Sequence, residues 1–132
     1  MKKIKLIILI SFFGFISTKY FAVGSINSNA QNEIKETIYI DFQGGFQNDT
    51  ISIEVNGIEV FTKEITTNQV QGLAYCYEIK IYDDDQLTIF LFKNNTKHQV
   101  IIKDFSSLYI GVWFNEKTGL VCYFNEKPFK YE

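Results

Sequence analysis

The chain contains no arginine; all 13 of its basic residues are lysines. Arginine supplies the planar fork that reads phosphates, carboxylates and guanine edges. Four of the lysines, Lys2, Lys3, Lys5 and Lys19, lie before residue 25, which leaves nine against 15 acidic residues in the remainder, a net charge of about −6. Such a surface repels a phosphate backbone, so the expected partners do not include nucleic acid.

Other residue types are scarce too. There is one histidine (His98), one proline and one tryptophan. The chain has no H-E-x-x-H, no C-x-x-C, no phosphate-binding loop and no nucleophile elbow. Pairs of carboxylates for glycoside cleavage can be drawn from any of the acids, so that idea selects nothing. Cys76 or Cys122 with His98 is a dyad only in principle. The expectation is therefore a protein that is not an enzyme and holds no cofactor, with a small hydrolase as the weakest alternative.

Long apolar runs are also lacking. The longest, 6–16 (LIILISFFGFI), falls short of the ~20 residues that span a bilayer as a helix. Behind Lys2, Lys3 and Lys5, it has the length of a signal-peptide core, and Ala22-Val23-Gly24 offers a small-x-small cleavage site. The sequence thus divides into a cleaved signal segment (1–24), a polar linker (25–35) and one domain (36–132). Export to the periplasm, the cell surface or the medium follows, with no stable membrane span after cleavage. The alternative is a retained anchor. Disulfides persist in such compartments, so Cys76 and Cys122 can pair; otherwise they are two separate thiols.

What is abundant points to strands. The chain is 46% hydrophobic and 17% aromatic, enough for one core and typical of pleated, half-buried surfaces. Apolar and polar residues alternate with period two, and no helical stripe runs for three turns. Strands are expected near 36–42, 50–55, 58–64, 73–82, 86–93, 96–103, 107–114 and 119–125. Consecutive hairpins make this an all-β, single antiparallel β-sandwich of about eight strands, or alternatively a small closed β-barrel.

Turn chemistry proposes the pairings. Asn56-Gly57 suits a two-residue hairpin turn, pairing Val55 with Ile58 and Ile53 with Val60. Asn94-Asn95 does the same, pairing Leu91 with His98, Ile89 with Val100 and Leu87 with Ile102. A loop at Asp83-Asp84-Asp85 would pair Ile81 with Leu87, Ile79 with Ile89 and Tyr77 with Leu91. A loop at 115–118 would pair Val112 with Val121 and Ile110 with Tyr123. Tyr109, Gly111, Trp113, Leu120, Cys122 and Phe124 would then share a face.

Three places are candidates for binding. Tyr109, Trp113 and Phe124 on one sheet face would make an apolar platform with polar tips, suited to sugar rings or a protein partner. The competing expectation is that Trp113 is core. Asp83, Asp84 and Asp85 bring hard oxygen ligands for Ca²⁺, although adjacent residues point apart and a solvated turn is the simpler expectation. The segment 41–50, with Gly44-Gly45, is either a ligand loop or a flexible connection. Asn48-Asp49-Thr50 and Asn94-Asn95-Thr96 match the N-glycosylation pattern. The function expected from all this is a non-catalytic binding module for a glycan or protein. The alternative is an assembly protein working through its sheet edges or its aromatic face.

Overall fold

The computed structural model describes residues 34–132, all-β and without a helix among them. The proposed signal segment lies outside the described residues. So does the linker, except for its last two positions, which already belong to the first strand.

Eight strands follow in order: β1 (Ile34–Phe42), β2 (Asp49–Val55), β3 (Ile58–Ile65), β4 (Tyr75–Tyr82), β5 (Leu87–Lys93), β6 (Thr96–Ile102), β7 (Tyr109–Asn115) and β8 (Gly119–Asn125). They form two four-stranded sheets, β4-β1-β7-β8 (sheet A) and β3-β2-β5-β6 (sheet B). The two sheets share one core and do not close into a barrel. Ile38, Ile40, Phe42, Ile110 and Val112 of sheet A meet Ile51, Ile53, Leu87, Ile89 and Leu91 of sheet B, all fully buried. Alternation along each strand builds this core, because every second side chain points inward.

Asparagine shapes two of the turns. Asn56 and Gly57, and Asn94 and Asn95, all take positive φ, from 51° to 82°. The β5–β6 register runs through Leu87↔Ile102, Ile89↔Val100 and Leu91↔His98, as the Asn94-Asn95 turn requires. In the β2–β3 hairpin Val55 pairs Ile58, but a bulge makes Ile53 pair Phe61 rather than Val60. The bulge turns Phe61 inward, where it stacks on Tyr77 at 4.2 Å and on Tyr75 at 5.5 Å.

Three expectations are corrected. First, 73–82 and 86–93 do not pair: β4 pairs β1, and β5 pairs β2. The Asp83–Asp85 turn crosses between sheets because Asn56 grips its exit. Asn56 Nδ2 donates to Asp85 Oδ1 (2.8 Å), Gln86 N to Asn56 Oδ1 (2.9 Å), and Asn56 N to Gln86 O (2.9 Å). That clamp delivers the chain to β2.

Second, the sandwich is not wholly antiparallel. β1 and β7 run parallel, Tyr39↔Tyr109 through Phe42↔Val112. A parallel pair needs a long crossover, and everything from β2 to β6 supplies it.

Third, the β7–β8 register is one residue from the expected one. Asn115 pairs Gly119, so Val112 pairs Cys122 and Ile110 pairs Phe124. Gly119 absorbs the shift at φ 79°, a value open to glycine without strain.

Candidate functional site

The outer face of sheet A is built by the odd-numbered residues of β1 and β7. In parallel register these form three rows: Tyr39 beside Tyr109, Asp41 beside Gly111, and Gln43 extending the row of Trp113. On the edge strand β8, Val121, Tyr123 and Asn125 pair Trp113, Gly111 and Tyr109. On the other edge, Cys76 pairs Asp41. This face therefore holds aromatic rings at both ends and a glycine-floored gap between them. Tyr109 and Trp113 are four residues apart on one strand, about 13 Å at an ordinary strand rise.

Trp113 is on the surface, not in the core, with 41% of its area exposed. Its ring lies against Gly44, where any Cβ would fall within 2.4 Å of it. Its indole N–H donates to Gln43 Oε1. At the other end Tyr39 and Tyr109 stack at 5.1 Å, 14° between planes. Both ends of the face are thus held in place by contacts within the fold.

The chain after β8 folds back over the gap. The Phe129 ring edge sits above Gly111, 2.9 Å from where a Cβ would stand. Gln43 Nε2 donates to Tyr131 Oη (2.9 Å), and Tyr131 Oη donates to Asp41 Oδ2 (2.7 Å). A continuous chain of hydrogen bonds thus runs Trp113–Gln43–Tyr131–Asp41. Burial and the bond to Asp41 hold the Tyr131 phenol well above its ordinary range, so it stays a donor.

Of the three platform residues expected from sequence, two meet on this face. Tyr109 and Trp113 are there; Phe124 is not. The register shift places Phe124 on the inner side, at the open edge beside Ile101 and Lys103. Tyr123 takes its place on the outer face, 53% exposed. Asp41 and Gln43 belong to the segment 41–50 singled out as a candidate ligand loop, whereas Tyr39, Phe129 and Tyr131 were not foreseen. Period-two alternation around Tyr39 was the one available sign; nothing in the polar setting of Phe129 and Tyr131 announces them.

Asp83, Asp84 and Asp85 form a turn. Both oxygens of Asp85 are engaged, one by Asn56 Nδ2 and the other by Tyr82 N (2.7 Å). Among the described residues no group of three acidic, histidine or cysteine side chains could hold a metal.

Cys76 and Cys122 are free and stand on opposite edge strands of sheet A. Three strand spacings separate them, roughly 14 Å, whereas disulfide Cα atoms lie within about 7 Å. They do not pair in this fold. Burial, then the hydrogen bond and charge of Asp41, push the Cys76 thiol up to about 11; burial alone pushes Cys122 to about 12. Against an ordinary thiol of 9.0, Cys76 holds roughly a hundredfold less thiolate at pH 8. We expect iodoacetamide to modify Cys76 slowly at pH 8, faster in Asp41→Asn, as mass spectrometry will show. Labelling as fast as a free thiol would contradict the Asp41 contact.

A second concavity, about 510 Å³, opens at one end of the sandwich between Gln47, Thr66, Gln69, Lys93 and Glu116. Gly45, Phe46 and Gln47 of the segment 41–50 line it, and hydrogen bonds hold this stretch in place. Thr67 Oγ1 donates to Gln43 O (2.7 Å) and accepts from Phe46 N (3.1 Å), and Thr67 N donates to Phe46 O (2.9 Å). Lys93 Nζ crosses its floor to Asp49 Oδ2 (2.7 Å). Both partners of this pair are satisfied within the fold. His98 packs edge-on against Phe114 at 5.0 Å, away from the aromatic face.

No family model, curated protein or solved structure was found to match the chain. Among the described residues no helix is long and apolar enough to cross a membrane.

Proposed function

We propose that the protein is an exported, non-catalytic binding module whose outer sheet-A face takes a glycan. The observation that carries this is Trp113: an exposed indole laid on Gly44 and fixed by Gln43. A ring held still loses little entropy when a sugar stacks on it. Beside it stand groups that match sugar hydroxyls, the Asp41 carboxylate and the Gln43 amide. The Tyr39–Tyr109 pair adds two more rings at the far end of the same face. Export rests on the segment 1–24 and its signal-like pattern.

The test is a titration of Trp113 emission with soluble glycans. Binding should change the emission saturably, and Trp113→Ala should weaken affinity at least about tenfold while the protein stays folded by circular dichroism, as for a hot-spot residue. No response to any glycan class, in a folded protein, would count against this function.

A second reading, assembly through sheet edges, rests on the edge strand β3, where Ile58 and Val60 leave 70% and 46% of their surface exposed. Sedimentation at rising concentration decides it: a constant monomer removes it.

A further inference from the structure

The segment 126–132 lies on the proposed binding face, and it does so with two kinds of group. Phe129 brings the edge of an apolar ring to Gly111. Tyr131 offers one hydroxyl that donates to Asp41 Oδ2 and accepts from Gln43 Nε2. An apolar disc joined to a hydroxyl that both gives and takes a hydrogen bond is also what a pyranose ring presents. We infer that this segment is an internal stand-in for a sugar: it fills the Gly111–Gln43–Asp41 slot in the resting chain, and a pyranose of the ligand displaces it. The inference rests on the glycan reading of the same face and adds to it the central subsite and the way that subsite opens.

The slot is built for an occupant. Gly111 is fully covered, and a Cβ there would strike both Gln43 Nε2 and Phe129, each at 2.9 Å. Gln43 is itself 7% exposed and spends its amide on both neighbours, accepting from Trp113 and donating to Tyr131. A ligand hydroxyl arriving where Tyr131 Oη stands would inherit both bonds, so the bound state leaves neither Asp41 nor Gln43 without that partner. The strap is lightly attached. Glu126, Lys127, Pro128 and Lys130 are exposed, and Phe129 and Tyr131 are its anchors. Release would join the Tyr39–Tyr109 end to Trp113 across an open slot, giving a groove long enough for two or three sugar units at about 13 Å.

A site closed most of the time binds with its intrinsic affinity scaled by the open fraction. Removing the anchors therefore tightens binding. The experiment uses the full chain, the double variant Phe129→Ser with Tyr131→Ser, and Tyr131→Phe, which keeps the ring and deletes only the hydroxyl. Each is titrated with cello-, xylo- and mannohexaose, and its fold is checked by circular dichroism. The double variant should bind the preferred oligosaccharide about tenfold tighter or more, with a smaller gain for Tyr131→Phe. In the parent chain, saturating oligosaccharide should speed tryptic cleavage after Lys130, since release frees the backbone between the anchors. Unchanged or weaker binding by a folded double variant overturns the strap, as does slower cleavage after Lys130 on binding. If Trp113→Ala abolishes binding while the anchor variants leave it unchanged, the glycan face stands and the strap inference falls. If no hexaose binds either chain, both fall.

Discussion

Replacing Lys93 by Met should cost about 3–5 kcal/mol of folding stability, read as a drop in the urea midpoint at neutral pH. Lys93 Nζ meets Asp49 Oδ2 at 2.7 Å, with side chains only 13% and 8% exposed. The ammonium also approaches Gly45 O at 3.5 Å and lies 5.2 Å from the centre of the Phe114 ring. Asp49 receives one more bond, from Gln47 N at 2.7 Å. Methionine keeps most of the stem but withdraws the charge. The carboxylate is then held out of water with a single backbone amide for company. Adding Asp49→Asn removes the stranded charge, so the double variant should be clearly more stable than Lys93→Met alone. A loss within about 0.5 kcal/mol for the single change, the size typical of an ordinary surface position, would mean the pair is solvated.

Phe46→Ala should cost a similar amount, about 3–5 kcal/mol, although Phe46 lies between strands. It is 2% exposed and meets Phe42 edge to face at 6.0 Å, 78° between planes. Thr67 holds its backbone from both sides. Next to it, Gly45 passes so near Phe114 O that a Cβ would fall 2.1 Å from it. The segment therefore cannot collapse to fill the space the ring leaves, and the cavity term is paid nearly in full. Because Gly44 stays in place under Trp113, the same variant should leave Trp113 emission unchanged. A domain of this size is usually stable by only about 5–15 kcal/mol, so either change consumes a large part of it. A urea midpoint near that of the parent would show that the segment repacks without Phe46.

Strand positions were legible because alternation reports which side chains are apolar on one face. Asn94-Asn95 fixed the β5–β6 register because two left-handed residues admit one turn geometry. The same alternation fails to name partners. Ile79 and Ile81 face the core, as Leu87 and Ile89 do, whether their strands pair or lie in different sheets. What separates the two outcomes is the Asn56 clamp on Asp85 and Gln86, a contact between distant turns. The β7–β8 slip has a related cause. A shift of one residue is normally policed by burying the wrong face. Here Ile110, Val112 and Phe114 alternate with Tyr109, Gly111 and Trp113, and Leu120 and Cys122 with Val121 and Tyr123. Either register looks apolar, so Phe124 and Tyr123 exchanged places unnoticed. Tyr109 and Trp113 were found because they share a strand. Asp41, Gln43 and Tyr131 join them only through the β1–β7 pairing and the return of the chain after β8.

That pairing also bears on how the protein acquires its structure. β1 sits in the middle of sheet A with neighbours on both sides, and one of them, β7, is among the last strands to leave the ribosome: Ile40 waits for Ile110. Sheet B, by contrast, can begin from the β2–β3 hairpin as soon as Val55 meets Ile58. Nascent chains will therefore carry Ile38, Ile40 and Phe42 on a strand open along one edge for most of synthesis. Such distant partners close slowly, and an unpaired apolar edge is an invitation to aggregation. A holdase that shields β1 until β7 arrives should raise the yield of native protein, whereas one that acts on the β5–β6 hairpin should not.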